Sequence, residues 1–447
     1  MLAALAQDGW SLVGDTADAD VLVVNTCGFI DAAKAESMAA IRDAVRLKRK
    51  GRCHKVVVTG CLAQRYAAQI AEEIPGVDAV IGLGQTLKIP EYVRSTFRGE
   101  RPVISSAPPP EWQEIGARLL TTPKWTTYLK IGEGCDHRCS FCAIPGIRGD
   151  WRSRPPHLLI DEVKMLVDQG LKEVILIGQD TTLYGKDWNR PANALPVLGE
   201  AGDNPLNGWS LPRLVRALGE IEGLKWQRIM YVHPGRVNQD LIDVFGEVGN
   251  LAPYIDMPIQ HGDDGVLKRM MRAGNSDRYL EIIAGLRQKV QNISIRSTFL
   301  LGFPGETDEE YAKCRDFVGQ AQMDHVGVFV YSEEDSTAAF QMENTVPRKI
   351  AEERASDLMS LQAEISASRL SGLVGSEMDA LVESDLGGGR WLARTERDAP
   401  EVDGSMILHT RRAQIGELVR VTVTGSSIHD LTGQPVGEAL IPLTVAV

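Results

Sequence analysis

The chain has 447 residues and a net charge of −12, with 43% hydrophobic and 24% charged residues. This length is enough for about three domains, and the composition is that of a globular protein, which excludes a largely disordered or fibrous chain. No apolar run is long enough to span a bilayer and the first twenty residues contain no basic leader, so we expect a cytoplasmic protein without a membrane partner. The acidic balance repels phosphate backbones, which argues against nucleic acid as the direct substrate.

Residues 1–95 alternate short β-branched runs with helical patterns. The runs begin at Val21, Lys55 and Val77. Uniformly apolar runs separated by helices predict a parallel sheet that is covered on both faces. Ligands of such sheets bind at the carboxyl ends of strands, and Cys27 and Cys61 each follow a run by a few residues. Both thiols are therefore candidate site residues.

A proline-rich stretch, residues 105–110, predicts an exposed linker and a domain boundary. Six further strand-like runs, with helices between them, follow within residues 121–358. Six such steps predict a barrel or partial barrel with its site at the carboxyl ends of the strands. The Gly-, Pro- and Asn-rich stretch 184–210 predicts a surface insertion. The six runs are 128–131, 174–177, 228–232, 254–259, 293–301 and 326–331.

The pattern changes after an amphipathic helix that we predict for residues 351–370. Short strands at 378–382, 391–394, 418–424 and 439–447, with a turn at Gly387-Gly388-Gly389, predict a small β-barrel. The chain is therefore predicted to be a multidomain α/β protein. Its domains are an N-terminal parallel domain (1–95), a partial (βα)6 barrel (121–358), and a linker helix with a C-terminal β-barrel (361–447).

The spacing of three of the seven cysteines is the most informative feature of the sequence. Cys135, Cys139 and Cys142 fall within eight residues, directly after the first predicted strand of the barrel. Three thiolates on one short loop can bind three irons of a [4Fe–4S] cluster, which leaves the fourth iron open to another ligand. A zinc site would need His137 as the fourth ligand, at a spacing unlike that of zinc ribbons or fingers.

The Cys-x3-Cys-x2-Cys motif, with Phe141 before its last cysteine, resembles the radical S-adenosylmethionine (SAM) superfamily. Longer motifs resemble the methylthiotransferases within it, and the resemblance covers nearly the whole chain. It implies an N-terminal cluster domain, a radical SAM core and a C-terminal TRAM barrel. Cys27 to Asp31 and Gln179 to Thr182 are most similar to the RimO branch, which modifies a ribosomal protein. The longer motifs are residues 134–145, 25–31, 59–66, 256–261 and 302–307.

This resemblance implies two [4Fe–4S] clusters and SAM as cofactors. The cluster on the three-cysteine motif would bind SAM, whose reductive cleavage gives a 5′-deoxyadenosyl radical that abstracts hydrogen from the substrate. The second cluster would hold or supply sulfur, with Cys27 and Cys61 among its ligands. The acceptor would be the β-carbon of an aspartate in protein twelve of the small ribosomal subunit, and the reductant a flavodoxin or ferredoxin.

One feature departs from the family pattern. Methylthiotransferases have three cysteines in the N-terminal domain, the first on a loop between an opening strand and a helix. Here residues 1–5 have the pattern of that helix, and the strand and its cysteine are absent. Cys53 precedes the strand at Lys55, at the wrong end of the sheet to substitute. We therefore expect a truncated start and a second cluster that is held poorly.

Other candidate residues follow the predicted barrel strands. Gly178, Gln179 and Asp180 follow the run 174–177, where the superfamily contacts the amino group of SAM; the alternative is an ordinary polar loop. Arg296, within an apolar run, could bind the SAM carboxylate or form an internal ion pair. Gln260 and His261 could line the site, although a buried, hydrogen-bonded histidine is the commoner finding.

Two further features have simpler structural explanations. Thr307 and Glu310 fit a helix capping box better than a phosphate loop. Cys314, in a predicted helix, fits a packing role.

The charge of the C-terminal barrel distinguishes possible substrates. Residues 373–447 contain six arginines, no lysine and eleven acids, a net charge of −5, and their one aromatic residue is Trp391. Such a surface repels RNA and offers no stacking platform, so it favours a basic ribosomal protein as partner. The alternatives are a tRNA adenosine methylthiotransferase and, from another class, a non-catalytic iron–sulfur factor of ribosome assembly.

Overall fold

The computed structural model describes residues 1–104, 112, 118–188 and 206–437. Two compact units make up the chain: the first contains 1–121, 132–154 and 332–341, and the second contains 122–131, 155–331 and 342–447. The predicted linker 105–110, most of the predicted insertion 184–210 and the predicted last strand 439–447 lie outside the described residues. Across the described ranges, the helices fall short of the length and apolarity that crossing a membrane requires.

The N-terminal part of the first unit contains a parallel sheet of strand order β1-β2-β3-β4. Its three longer strands confirm the predicted parallel arrangement, and the helix over residues 1–5 is also present. The two-residue edge strand β4 was not predicted, because a strand that short carries no hydrophobic pattern. The elements are α1 (Leu2–Gln7), β1 (Val21–Thr26), α2 (Asp31–Lys50), β2 (Lys55–Gly60), α3 (Cys61–Glu73), β3 (Ala79–Ile81), α4 (Ile89–Phe97) and β4 (Val103–Ile104).

Strand β2 is buried on both faces. Val56 and Val58 pack in a cluster with Ile41 of α2, whereas Val57 packs in a second cluster with Ile89 of α4. Successive side chains of a strand point to opposite faces, so an unbroken valine run requires apolar cover on both sides. This is why the run predicted a buried parallel strand.

Two short paired strands flank the three-cysteine motif in the first unit. The preceding strand, β5 (Thr126–Lys130), belongs to the second unit. The motif itself lies between β6 (Gly132–Glu133) and α5 (Ile144–Arg148), and β7 (Arg152–Ser153) follows and pairs antiparallel with β6.

The second unit contains a six-stranded parallel sheet of order β12-β11-β10-β9-β8-β5, in which β5 and β12 are the edges. The strands follow one another in chain order with helices between them, which confirms the predicted partial barrel. Its further elements are α6 (Pro156–Asp168), β8 (Glu173–Ile177), α7 (Leu211–Gly219), β9 (Trp226–Ile229), α8 (Gln239–Glu247), β10 (Leu251–Asp256), α9 (Asp264–Arg269), α10 (Ser276–Lys289), β11 (Ser294–Leu301), α11 (Asp308–Ala321) and β12 (His325–Val330).

A long helix leads into a closed five-stranded barrel of order β13-β14-β15-β17-β16. The predicted glycine turn joins β13 to β14, and all three glycines have positive φ. The barrel confirms the predicted class, although the short strands β15 and β17 were not predicted. The elements are α12 (Arg348–Ser371), β13 (Glu377–Gly387), β14 (Arg390–Thr395), β15 (Met406–His409), β16 (Leu418–Ser426) and β17 (Leu431–Pro435).

The loop between β14 and β15 packs on one face of the six-stranded sheet, which we call the inner face. It is the face that carries Ile175, Met230 and Tyr254, and these residues pack with Ala399 of the loop. Buried ion pairs reinforce the contact, since Glu173 of β8 accepts hydrogen bonds from Arg228 (3.0 Å) and from Arg394 (3.1 Å). The C-terminal barrel is thereby anchored to the inner face.

Candidate functional site

Cys27 and Cys61 lie at the carboxyl ends of the neighbouring strands β1 and β2. The backbones of the two loops are in contact. A Cβ atom added to Gly28 would lie only 2.7 Å from Cα of Leu62, closer than two carbon atoms can approach. Gly60 has φ of +102°, and a Cβ there would lie 2.3 Å from the carbonyl oxygen of Thr26. Only glycine fits at these two positions. The structure therefore brings the two predicted cysteine loops together.

The two cysteines are held in different ways. The backbone of Cys27 is fixed by Ser37, whose hydroxyl accepts from the Cys27 N–H (3.0 Å) and donates to its carbonyl (2.9 Å). Cys27 is exposed, and Cys61, the first residue of α3, is partly buried. Nη2 of Arg148 donates a hydrogen bond to Sγ of Cys61 over 3.2 Å. A cation therefore faces the sulfur atom of Cys61.

Cys53 lies at the other end of β2. It is buried, its thiol donates to the carbonyl of Lys55 (3.2 Å), and burial raises its pKa. The six residues of β2 separate the two ends of the strand by about 20 Å. Cys53 is thus remote from Cys27 and Cys61.

The three-cysteine loop is fixed by its own backbone. The N–H of Cys135 donates to the carbonyl of Gly149 (3.1 Å), and that of Cys142 donates to the carbonyl of Cys139 (3.0 Å). Gly134 has φ of +87°, and a Cβ on it would meet the neighbouring backbone at 2.2 Å. The loop therefore presents three thiols on a constrained backbone.

A buried acid of the first unit, Glu334, pairs with two cations and was not predicted from the sequence. Glu334 is 2% exposed and accepts from Nζ of Lys34 (3.0 Å) and from Nη1 of Arg65 (2.8 Å). The same guanidinium nitrogen donates to the carbonyl of Gly28 (2.7 Å), beside Cys27. Glu334 sits in a short acidic run without periodicity, so only its spatial partners identify this role.

The chemistry of these donors fits iron–sulfur clusters. Cysteine thiolates are the ligands that such clusters take, and here the cysteines lie on two separate groups of loops. Within ranges 1–104, 118–188 and 206–437, no three His, Cys, Asp or Glu side chains are grouped closely enough to hold a single metal ion.

Gly178, Gln179 and Asp180 follow β8 directly, as predicted from the run 174–177. The carboxylate of Asp180 is buried and accepts from the N–H (2.9 Å) and the hydroxyl (2.5 Å) of Thr182. This carboxylate thus caps the turn that follows the strand.

Arg296 has the internal ion pairs that we considered as the alternative to a SAM contact. Its guanidinium lies 3.3 Å from the carboxylate of Asp256 and 3.2 Å from that of Asp403. The two acids are buried, whereas 18% of the Arg296 side chain is exposed. In this structure Arg296 links β10, β11 and the loop before β15.

Gln260 and His261 lie where the irregular continuation of β10 meets β11. Gln260 has φ of +80°, and its backbone bonds to Thr298 (2.8 Å) and Leu300 (2.7 Å). The His261 ring is fully buried, and its Nδ1 accepts from the N–H of Asp263 (3.0 Å). His261 is therefore the buried, hydrogen-bonded histidine of the simpler explanation.

The two remaining candidates are structural. Thr307 and Glu310 form the predicted capping box at the start of α11. Cys314 is fully buried, and its sulfur accepts from the N–H of Gly262 (3.3 Å), in agreement with a packing role.

Three family models match the chain. These are the Radical SAM superfamily over residues 129–318, Uncharacterized protein family UPF0004 over residues 1–82, and the TRAM domain over residues 374–436. The matches follow the N-terminal sheet, the six-stranded sheet and the closed barrel in order.

Curated relatives match almost the full length. A protein of Heliobacterium modesticaldum named ribosomal protein uS12 methylthiotransferase RimO is 38% identical over 98% of this chain and 92% of its own. A protein of the same name from Symbiobacterium thermophilum is 40% identical over 100% of this chain and 88% of its own. Among solved structures, the radical S-adenosylmethionine methyltransferase TsrM of Kitasatospora setae has the same fold at a TM-score of 0.51 and 15% identity, covering 72% of this chain and 67% of its own. The chain therefore belongs to the RimO family of ribosomal protein uS12 methylthiotransferases, within the radical SAM superfamily.

Proposed function

We propose that this protein transfers a methylthio group to the β-carbon of an aspartate in ribosomal protein uS12. The observation that carries the proposal is the full-length similarity to uS12 methylthiotransferases, at 38 to 40% identity over 98 to 100% of the chain. The reaction needs a strong hydrogen-atom abstractor, because the β-carbon of aspartate has no activated C–H bond. Iron–sulfur clusters and SAM, the cofactors of this family, supply that chemistry.

The cysteines divide into two proposed ligand sets. Cys135, Cys139 and Cys142 would hold the [4Fe–4S] cluster that binds and reduces SAM. Cys27 and Cys61 would hold the second cluster. Both sets are supported by cysteines on loops whose backbones are fixed by hydrogen bonds.

The chain's own residues prepare these ligands. Arg148 directs a guanidinium at the sulfur of Cys61, where it offsets the negative charge of a cluster ligand. Glu334, through Arg65, fixes the backbone beside Cys27.

For SAM, we propose contacts at the carboxyl ends of the barrel strands. Gly178, Gln179 and Asp180 follow β8, and Gln260 follows β10. The cap that Asp180 forms on Thr182 holds this loop in one conformation. Arg296 would reach a SAM carboxylate only after exchanging an existing carboxylate partner, so its contribution is the weakest of the set.

The surface charge supports a basic protein as the acceptor. Two of the six arginines in the C-terminal barrel, Arg394 and Arg397, are buried and bonded to Glu173 and Asp324. Burying them removes their charges from the surface, while most of the ten acids that the structure describes there remain at least partly accessible. Ribosomal proteins are basic, so the barrel surface would attract uS12 and repel RNA. A flavodoxin or ferredoxin is the proposed electron donor.

A competition between acceptors tests the proposal. The anaerobically reconstituted protein is incubated with SAM, dithionite and equal amounts of purified uS12 and tRNA, and both acceptors are analysed by mass spectrometry. We expect a methylthio group on uS12 alone. Modification of tRNA would establish the adenosine methylthiotransferase instead, and intact SAM would favour the non-catalytic assembly factor.

A further inference from the structure

Tyr231 has a left-handed backbone that is held from both sides. It lies two residues beyond β9, with φ of +59°, a conformation uncommon for a bulky side chain. Its N–H donates to Oδ2 of the buried Asp256 (3.1 Å), and its carbonyl accepts from the N–H of Thr181 (3.1 Å). Backbone strain that neighbouring elements enforce in this way is typical of functional positions.

Tyr231 is partly open to solvent, although its backbone is fixed. The residue as a whole is 43% exposed. The carboxylate of Asp256 and the guanidinium of Arg296 both act electrostatically on the phenol, and Tyr128 of β5 lies near enough to be affected by it. Partial burial of the phenol and the charge of Asp256 raise the pKa of Tyr231, so the phenol keeps its proton at neutral pH.

Tyr231 lies beside the segment that carries the proposed SAM contacts. Thr181, which bonds to the Tyr231 carbonyl, directly follows Gln179 and Asp180. Tyr231 therefore borders the SAM-contacting segment from the neighbouring strand. A partly exposed group beside the proposed SAM contacts is placed to meet the second reactant.

We propose that the Tyr231 phenol donates a hydrogen bond to the carboxylate of the acceptor aspartate and so presents its β-carbon for hydrogen abstraction. This inference rests on the proposed function. The carboxylate is the one polar group of that side chain, it is bonded directly to the reacting carbon, and an O–H donor to a carboxylate forms a strong, directional bond. Tyr231 would thus be a substrate-positioning residue that helps to select aspartate.

Two variants distinguish the role of the Tyr231 hydroxyl from that of its left-handed backbone. Tyr231→Phe removes only the hydroxyl, and Tyr231→Asn removes the ring with a residue that tolerates positive φ. We expect both to raise KM for uS12 about tenfold, the effect of one lost charge-assisted hydrogen bond. Both should also lower the number of methylthio groups transferred per 5′-deoxyadenosine formed, because a misplaced β-carbon leaves the radical unproductive.

Binding measurements identify the partner of the hydroxyl. Affinity for uS12 is measured anaerobically with wild-type enzyme and Tyr231→Phe, using uS12 with the acceptor aspartate and uS12 with alanine there. We expect the Phe variant to weaken binding of the aspartate form only. Equal losses for both forms, or wild-type KM and coupling in Tyr231→Phe, would overturn the inference. If wild-type enzyme leaves uS12 unmodified, the proposed function itself fails, which is a separate result.

Discussion

The guanidinium of Arg148 donates a hydrogen bond to the sulfur of Cys61, with 3.2 Å between Nη2 and Sγ. Arg148 closes the short helix α5 that follows the three-cysteine motif, whereas Cys61 begins α3 after β2. A residue next to one proposed ligand set therefore contacts a member of the other set.

Loss of this contact should weaken the second cluster. With Cys135, Cys139 and Cys142 replaced by Ala, the remaining iron reports on the second cluster alone. In that background we expect Arg148→Leu to lower the affinity for the second cluster by about 10–100-fold, measured as the chelator concentration that removes half of the iron. This is the usual effect of losing a residue that hydrogen-bonds to a metal ligand. Arg216→Leu, which removes an exposed ion pair in the second unit, serves as the matched control. Equal iron loss in both variants would contradict the assignment of Cys61.

Replacing Cys135, Cys139 or Cys142 by Ala should abolish reductive cleavage of SAM. Each variant removes one of three thiolates, and the cluster then lacks the ligands that keep its fourth iron available. The measurement is 5′-deoxyadenosine formed under dithionite. Cys53→Ala, at the opposite end of the N-terminal sheet, should cleave SAM as the wild type does. Cleavage by all three motif variants would exclude this loop as the radical SAM site.

Glu173→Gln should destabilise the second unit by about 3–5 kcal/mol, because it removes the buried carboxylate that Arg228 and Arg394 share. Burial opposes the ionisation of Glu173, but Arg394 and Arg228 outweigh it and lower its pKa. The measurement is chemical unfolding at neutral pH. Glu352→Gln, which removes an exposed pair with Arg348 within α12, should change stability by less than about 0.5 kcal/mol. Similar effects from both substitutions would contradict the role given to the buried network.

Glu310→Gln should lower the free energy of unfolding by about 1–2 kcal/mol at neutral pH and by less in acid. The hydrogen bond from Arg269, with that from the Thr307 N–H, lowers the pKa of Glu310 to about 2. A pKa below its unfolded value stabilises the fold above about pH 4.5, and this contribution disappears as the pH falls towards 2. Unfolding of wild type and variant between neutral and acidic pH should therefore show a difference that shrinks below about pH 4.5. Glu309→Gln, in the same turn, serves as the matched control.

The features that sequence could predict are local ones. The valine run of β2 predicted a strand buried on both faces, because each of its residues needs apolar cover. The spacing of Cys135, Cys139 and Cys142 identified one loop, and the spacing of Thr307 and Glu310 identified one helix start. Each depends on residues within a few positions of one another.

The features that sequence could not predict depend on distant partners or very short elements. Glu173 and Arg394 are 221 residues apart, and nothing near either of them indicates that they pair. The ion pairs of Glu334 with Lys34 and Arg65, and the partial exposure of Tyr231, likewise depend on the tertiary structure. Strands β4, β15 and β17 are too short or too irregular to show a period of two.

The central claim is that this chain modifies uS12, and the mass of uS12 from cells tests it most directly. Ribosomal proteins and tRNA are isolated from cells with and without the gene and from the strain complemented with the wild-type chain or with Cys139→Ala. The account predicts that uS12 carries a methylthio group on one aspartate only where the wild-type chain is present, with tRNA unchanged throughout. Unmodified uS12 in all four strains, or a methylthio group on tRNA that depends on the gene, would contradict it.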